Sequence, residues 1–170
     1  MVSRVASFKN RKLIAEGIFM SKLAYLIPLW GGCSKYLIKA LQVIQNRAAR
    51  TVTRLWWDTP TKLLLGQCGW LSVHQLAVYH SVLLVYKVVQ TKSPQYLASM
   101  FDTPYQFPTR QADSGMIRHL GAPGSELIRK SFRWRASEEY NQLPADVRNT
   151  NKLVDFKKGA KRWIMENVEV

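Results

Sequence analysis

Residues 34–57, SKYLIKALQVIQNRAARTVTRLWW, contain no aspartate or glutamate, and apolar residues recur there every third or fourth position. At about 100° per residue, Leu37, Leu41, Ile44, Ala48, Val52 and Leu55 fall into one seam, the pattern of a helix with a single buried stripe. Lys35, Lys39, Asn46, Arg50 and Arg54 fall on the opposite side, with Arg47 at its edge. Ser34 stands where an N-cap hydroxyl accepts from unpaired backbone N–H groups. Val43 is alone among the basic residues, and the sequence offers no reason for it. A basic face can be a merely solvated side of a core helix. Here no acid interrupts the helix, so the charges within it repel one another without stabilising it, which favours a face meant for phosphates.

The charge is concentrated in this part of the chain. The net charge is +14 over 170 residues, which points to a polyanionic partner or an acidic membrane surface. Residues 1–62 hold 11 Lys and Arg against Glu16 and Asp58, whereas residues 110–170 hold 12 against eight acids. With 47% hydrophobic residues the chain has enough apolar surface for a packed core, which excludes wholesale disorder. Two cysteines, Cys33 and Cys68, make no disulfide framework and match a reduced chain inside the cell, in nucleus or cytoplasm. No signal peptide is recognisable, and the greasiest run, residues 17–32, is interrupted by Lys22 and Pro28 and is too short to span a bilayer. No membrane partner is expected.

Taken in order, residues 1–9 read as a basic lead-in. Residues 10–27 read as a helix apolar on most of its surface, and hence largely buried. Pro28 and the Gly31-Gly32 pair end it and turn the chain into the basic helix, giving a helical hairpin over residues 1–58. Adjacent indoles cannot face the same way on a helix, so at least one of Trp56 and Trp57 is expected to be partly exposed. Packing at the hairpin's end is the favoured role for the pair, stacking on a base the alternative. Thr59-Pro60 reads as a cap followed by proline, starting a short helix that Gly69 stops after Cys68. Ser72 and Gln75 have capping-box spacing, with Leu71 and Leu76 as the staple, so residues 71–90 should form the central buried helix of a second unit, residues 59–170. His74 and His80 lie on different faces of it and cannot share a metal. Ser93-Pro94 starts another short helix. Residues 101–124 are rich in proline and glycine and read as a long connection, with short strands at 106–111 and 115–120 forming a possible β-hairpin. RKSFRWR alternates basic with aromatic or polar residues and reads as a strand leading into a helix over 136–142; Arg129, Arg133 and Arg135 make a second candidate basic patch. A last helix, capped by Thr150 or Asn151, buries Leu153, Phe156, Ala160, Trp163 and Ile164. The fold class is mostly α.

Catalytic chemistry is not suggested. There is no P-loop, no dinucleotide-binding glycine motif and no Cys/His set with zinc spacing. Glu138 and Glu139 point to different helix faces, and no Asp-Asp pair occurs to hold two metal ions. No cofactor is expected, and no enzymatic activity.

IFMSKLAYLIPLWGG, LIKALQVIQNRAARTVTRL, LLLGQCGWLSVHQL, YHSVLLVYKV and SPQYL succeed one another in an order similar to the polypeptide downstream of the palm in LINE-type, non-LTR retrotransposon reverse transcriptases. TRQA, SFRWRASEEYNQLPADVR and DFKKGAKRW resemble the segment that comes next in such elements, with Tyr140 where that pattern usually has tryptophan. The resemblance covers nearly the whole chain but includes no catalytic residue. It implies that the hairpin is similar to the thumb, the helical subdomain that grips the template–primer duplex, with Lys35, Lys39, Arg47, Arg50 and Arg54 as the gripping positions. The palm with its Tyr-x-Asp-Asp site, the endonuclease and the Cys/His knuckle have no counterpart in these residues. The resemblance therefore implies a non-catalytic fragment, either part of a longer polyprotein or a truncated copy of the element.

Two functions are expected on these grounds. The first is binding of RNA, DNA or an RNA–DNA hybrid through phosphates. The second is a structural module that associates through its apolar helices, with itself or with a palm domain.

Overall fold

The computed structural model describes residues 6–101, 115–117 and 124–169. The chain is mostly helical, and among the described residues no strand occurs. The strand expected at 106–111 lies outside the described residues, as do residues 118–120 of the one expected at 115–120; its residues 115–117 are described and are not in a strand.

The second half is built around the helix that begins after Ser72. We label the helices α1 (Phe8–Ala15), α2 (Ser21–Ala24), α3 (Ile27–Trp30), α4 (Lys35–Thr53), α5 (Thr61–Cys68), α6 (Val73–Thr91), α7 (Gln95–Phe101), α8 (Glu126–Lys130), α9 (Phe132–Asn141), α10 (Ala145–Arg148) and α11 (Leu153–Asn167). The capping box forms as the spacing predicts: Ser72 Oγ accepts from Gln75 N at 3.2 Å, and Ser72 N donates to Gln75 Oε1 at 3.1 Å. Leu71 and Leu76 are both buried beside it. Further along α6, Val78, Val82, Val85 and Tyr86 meet Ala136 and Tyr140 of α9 and Phe156, Ala160 and Ile164 of α11 in the largest apolar cluster. Tyr86 stacks on Phe156 with ring centroids 3.9 Å apart and donates its hydroxyl to Thr150 O. Burial pushes the Tyr140 phenol up to about 12. Of the set that its 3.6-residue period predicts, α11 buries Phe156, Ala160 and Ile164, with Leu153 and Trp163 half-buried against the same cluster; its expected cap is not seen, and Lys152 precedes it without a side-chain bond.

RKSFRWR is not a strand. Arg129 and Lys130 end α8, and Ser131 starts α9 by accepting from Trp134 N at 3.5 Å. Phe132, Ala136 and Tyr140 recur every four residues and face the core together, so helical burial overrides the short alternation.

The first half departs further from expectation. Residues 10–27 do not make one helix. α1 passes through a π-helical turn, Glu16–Met20, into α2, and the chain then breaks at Leu26, which has a left-handed backbone (φ 51°). Pro28 does not end a helix; it sits in the first turn of α3, where a missing N–H breaks no bond. Nor is the segment largely buried. Leu23 and Ile27 are, but α1 buries nothing, and Leu13, Ile14 and Ile18 face outward. The turn after α3 is held by close approach: a methyl group on Gly31 would stand 2.6 Å from Ala77 Cβ.

α5 ends at Gly69 (φ 67°) as expected, but Thr59 does not cap it. Two smaller clusters join the hairpin to α5 and α6. Leu23 and Ile27 pack with Leu71, Val73, Leu76 and Ala77, while Ala49 and Val52 pack with Leu64, Leu65, Cys68 and Trp70. The hairpin is thus packed on the second helical unit. Both cysteines are free, and burial pushes the Cys68 thiol up. Among the described residues no single helix is long and apolar enough to cross a membrane; α5 and α6 pass only as a pair bent by 50°.

Candidate nucleic-acid interface

α4 begins as its sequence predicts, with Ser34 Oγ accepting from Leu37 N at 3.5 Å, but it turns a different side to the core. Ile38, Gln45, Ala49 and Val52 define the inward direction, with Leu41 at its border. This is a rotation of about 70° from the expected seam on a 100°-per-residue wheel. Leu37 and Ile44, expected in the core, are about half exposed.

The reason is a stripe of amides. Gln45 is fully buried and donates to Leu71 O at 2.9 Å. Gln42 donates to Gln45 Oε1 at 2.8 Å and to Asn46 Oδ1 at 2.9 Å, and accepts from Val73 N at 2.9 Å. Asn46, expected on the basic face, donates to Thr61 Oγ1 at 2.9 Å. The stripe closes the unpaired backbone groups at the start of α6 and fastens α4 to α5. Buried amides that are fully paired fix one arrangement, since each lost partner would leave a desolvated polar group. The spacing of Gln42, Gln45, Asn46 and Ala49 was the available sequence signal, but hydrophobic periodicity alone does not weigh it. At the other end of α4, Arg11 Nε donates to Val52 O at 2.9 Å, a terminal carbonyl.

With the amide stripe inward, the basic residues keep to the outer side. Lys35, Lys39, Arg47 and Arg54 are exposed and Arg50 is half-buried. None makes an ion pair among the described residues. From Lys35 to Arg54 the helix rises about 28 Å at 1.5 Å per residue, the length of about eight stacked base pairs. Two details show charge placed against local stability. The first turn of α4 holds Lys35 and no acid, opposite to what the helix dipole favours. Arg54 closes the helix with a left-handed backbone (φ 61°), a conformation for which glycine is the unstrained residue.

Beyond Arg54, Trp56 and Trp57 are both outside, 78% and 80% exposed, so packing at the hairpin's end is not their role. Leu55 is the residue that tucks into the cluster of Ala49, Val52 and Leu64. Thr59 N donates to Trp56 O at 3.2 Å and closes the turn.

The second candidate patch is divided. Arg129 is exposed and Arg133 half-buried. Arg135 turns inward: it pairs with Glu139 at 3.1 Å and donates to Ser81 Oγ and to Pro28 O, joining α9 to α6 and α3. Burial raises the Glu139 carboxyl, against the pull of Arg135. Glu16, the acid that follows α1, accepts from Trp70 Nε1 at 2.9 Å and lies 3.7 Å from Lys12. Among the described residues no group of three or more His, Cys, Asp and Glu could hold a metal ion.

No protein-family model, no curated protein and no solved structure matches the chain.

Proposed function

We propose that the chain binds double-stranded nucleic acid through phosphates and without sequence specificity, using the outer face of α4, as the non-catalytic, thumb-like part of a LINE-type reverse transcriptase. The observation that carries the binding is the line of cations about 28 Å long, on a helix that contains no acid, and it stands partly against the helix's own stability. The retroelement assignment rests on the sequence resemblance. Catalysis would be supplied by residues outside this chain, and the site of action is inside the cell, in nucleus or cytoplasm.

The test is titration with a duplex and with an RNA–DNA hybrid at several salt concentrations. Five neutralised phosphates give a slope of about −4 to −5 in log K against log salt. A flat dependence overturns the phosphate reading. Primer-extension and nuclease assays with magnesium and manganese should show no turnover; activity lost on mutating the chain's own acids overturns the non-catalytic reading.

One observation favours a second reading, association through apolar surface. Ile14, Ile18 and Phe19 with Ala48 and Val52 line an open groove of about 290 Å³ between α1 and α4. Light scattering on the free chain distinguishes the two, because association buries this groove while phosphate binding leaves it open.

A further inference from the structure

Trp56 and Trp57 have no structural use for their rings. The described chain places its other tryptophans against neighbours: Trp70 is buried, and Trp30, Trp134 and Trp163 are half-buried. The turn that carries the two exposed indoles is nevertheless held on both sides. Leu55 anchors it in the cluster below, its N–H donating to Thr53 Oγ1 at 3.3 Å, and the Thr59–Trp56 bond closes it before α5. It is flanked by the exposed cations Arg54 and Lys62, with Asp58 the one acid nearby, and it lies at the end of the cationic line of α4. Rings presented on a fixed turn between cations match the chemistry of an unpaired nucleotide, whose base offers a π-face and whose phosphate offers a negative charge.

We propose that the Trp56–Trp57 turn is a stacking platform for unpaired bases where a single strand leaves a duplex lying on α4. This rests on the phosphate reading of α4 and adds to it the kind of substrate: a duplex with a single-stranded extension. Base stacking on an aromatic side chain is worth about ten- to a hundredfold in affinity per base.

The experiment compares the full chain on a blunt 12-base-pair duplex and on the same duplex with a six-nucleotide extension, at one fixed salt concentration. The wild type should prefer the extended substrate by about tenfold or more, with quenching of indole fluorescence. The double variant Trp56→Ala, Trp57→Ala should lose that preference while its affinity for the blunt duplex changes less than about twofold. Both rings are outside, so circular dichroism should be unchanged. The double variant Trp56→Phe, Trp57→Phe keeps aromatic faces and should recover most of the preference. Blunt-duplex binding with no preference for the extension overturns the platform and leaves the α4 reading standing; no binding to either substrate overturns both. Tighter binding to vesicles of anionic lipid than to either oligonucleotide, lost in the alanine variant, assigns the turn to a membrane surface and also overturns the proposal.

Discussion

The two halves of the chain solve the burial problem in opposite ways. Around α6 the apolar residues are spent on one another. Phe156 and Ile164 are fully buried, Tyr86 and Tyr140 nearly so, and the charged residues of α11 sit on its outer side. In the hairpin the apolar clusters are smaller and polar residues share the joining: Gln42, Gln45, Asn46 and Arg11 tie α4 to its neighbours beside them, and many large apolar side chains are left outside, from Leu13 and Ile18 to Trp56 and Trp57. A polar seam fixes position but contributes little net free energy, whereas buried apolar area contributes most of the stability. The second half therefore holds the larger share of the buried apolar surface, and the hairpin leaves more of its own outside; in the proposed function the first stabilises and the second presents.

The largest effect that would break this contrast is in the core. Phe156→Ala should cost about 3–5 kcal/mol in chemical denaturation through lost burial and a cavity, while Ile18→Ala, on a side chain 63% exposed, should stay within about 0.5 kcal/mol. Equal losses at both positions would mean that the π-helical turn after α1 is covered in solution. Gln45→Ala comes next, at about 1–3 kcal/mol, because it strips a partner from the buried Leu71 carbonyl and from Gln42. A loss larger than that of Phe156→Ala would reverse the assignment of the stabilising half. Ile44→Ala should cost no more than about 1 kcal/mol, its side chain being half exposed. Arg54→Gly sharpens the idea that the hairpin trades stability for presentation. It should raise the melting temperature, by about 1 kcal/mol of relieved left-handed strain, and yet weaken duplex binding and lower the salt slope by about one. A variant that gains stability with unchanged binding would remove Arg54 from the interface.

The smallest effect concerns pH. His80 on α6 is half-buried, and desolvation, with Lys87 assisting, lowers its pKa in the folded chain. The unfolded chain then binds a proton more readily, so this contribution to stability is complete above the ordinary histidine value of about 6.5 and is lost as pH falls toward the folded value. His80→Gln should flatten the decline in melting temperature between pH 7 and 5.

Legibility in the sequence divides along the same line. The α6 capping box, the Gly69 stop and the burial of Phe156, Ala160 and Ile164 on α11 are local or strictly periodic, and each appears as its residues predict. The orientation of α4 was not legible from apolar spacing, because a paired amide such as Gln45 can be buried at a position that hydrophobic periodicity assigns to the surface. RKSFRWR alternates like a strand over seven residues, but Phe132, Ala136 and Tyr140 at helical spacing bury one face of a helix, and that longer period decides the structure. For the candidate site, the exposed cations of α4 stand where the wheel put them. Asn46 and Arg135 do not, because each found an internal partner that is distant in sequence.

The π-helical turn between α1 and α2 decides which side chains the first segment shows to solvent. Ser21 N–H reaches back five residues to Glu16 O, so Glu16–Met20 holds one residue more than an α-helical turn would. That extra residue shifts the phase of α1 by about 100° relative to α2. It sets Arg11 beneath the Val52 carbonyl and Glu16 beside Trp70, and it aims Leu13, Ile14 and Ile18 away from the residues that Leu23 and Ile27 join. The insertion acts as a phase shifter: one continuous amphipathic code is split into an inner half and an outer half. Deleting Gly17, where an added Cβ would meet nothing within 4 Å, would restore the α-helical register and swing the outer side chains of α1 toward a different neighbour without changing any of them.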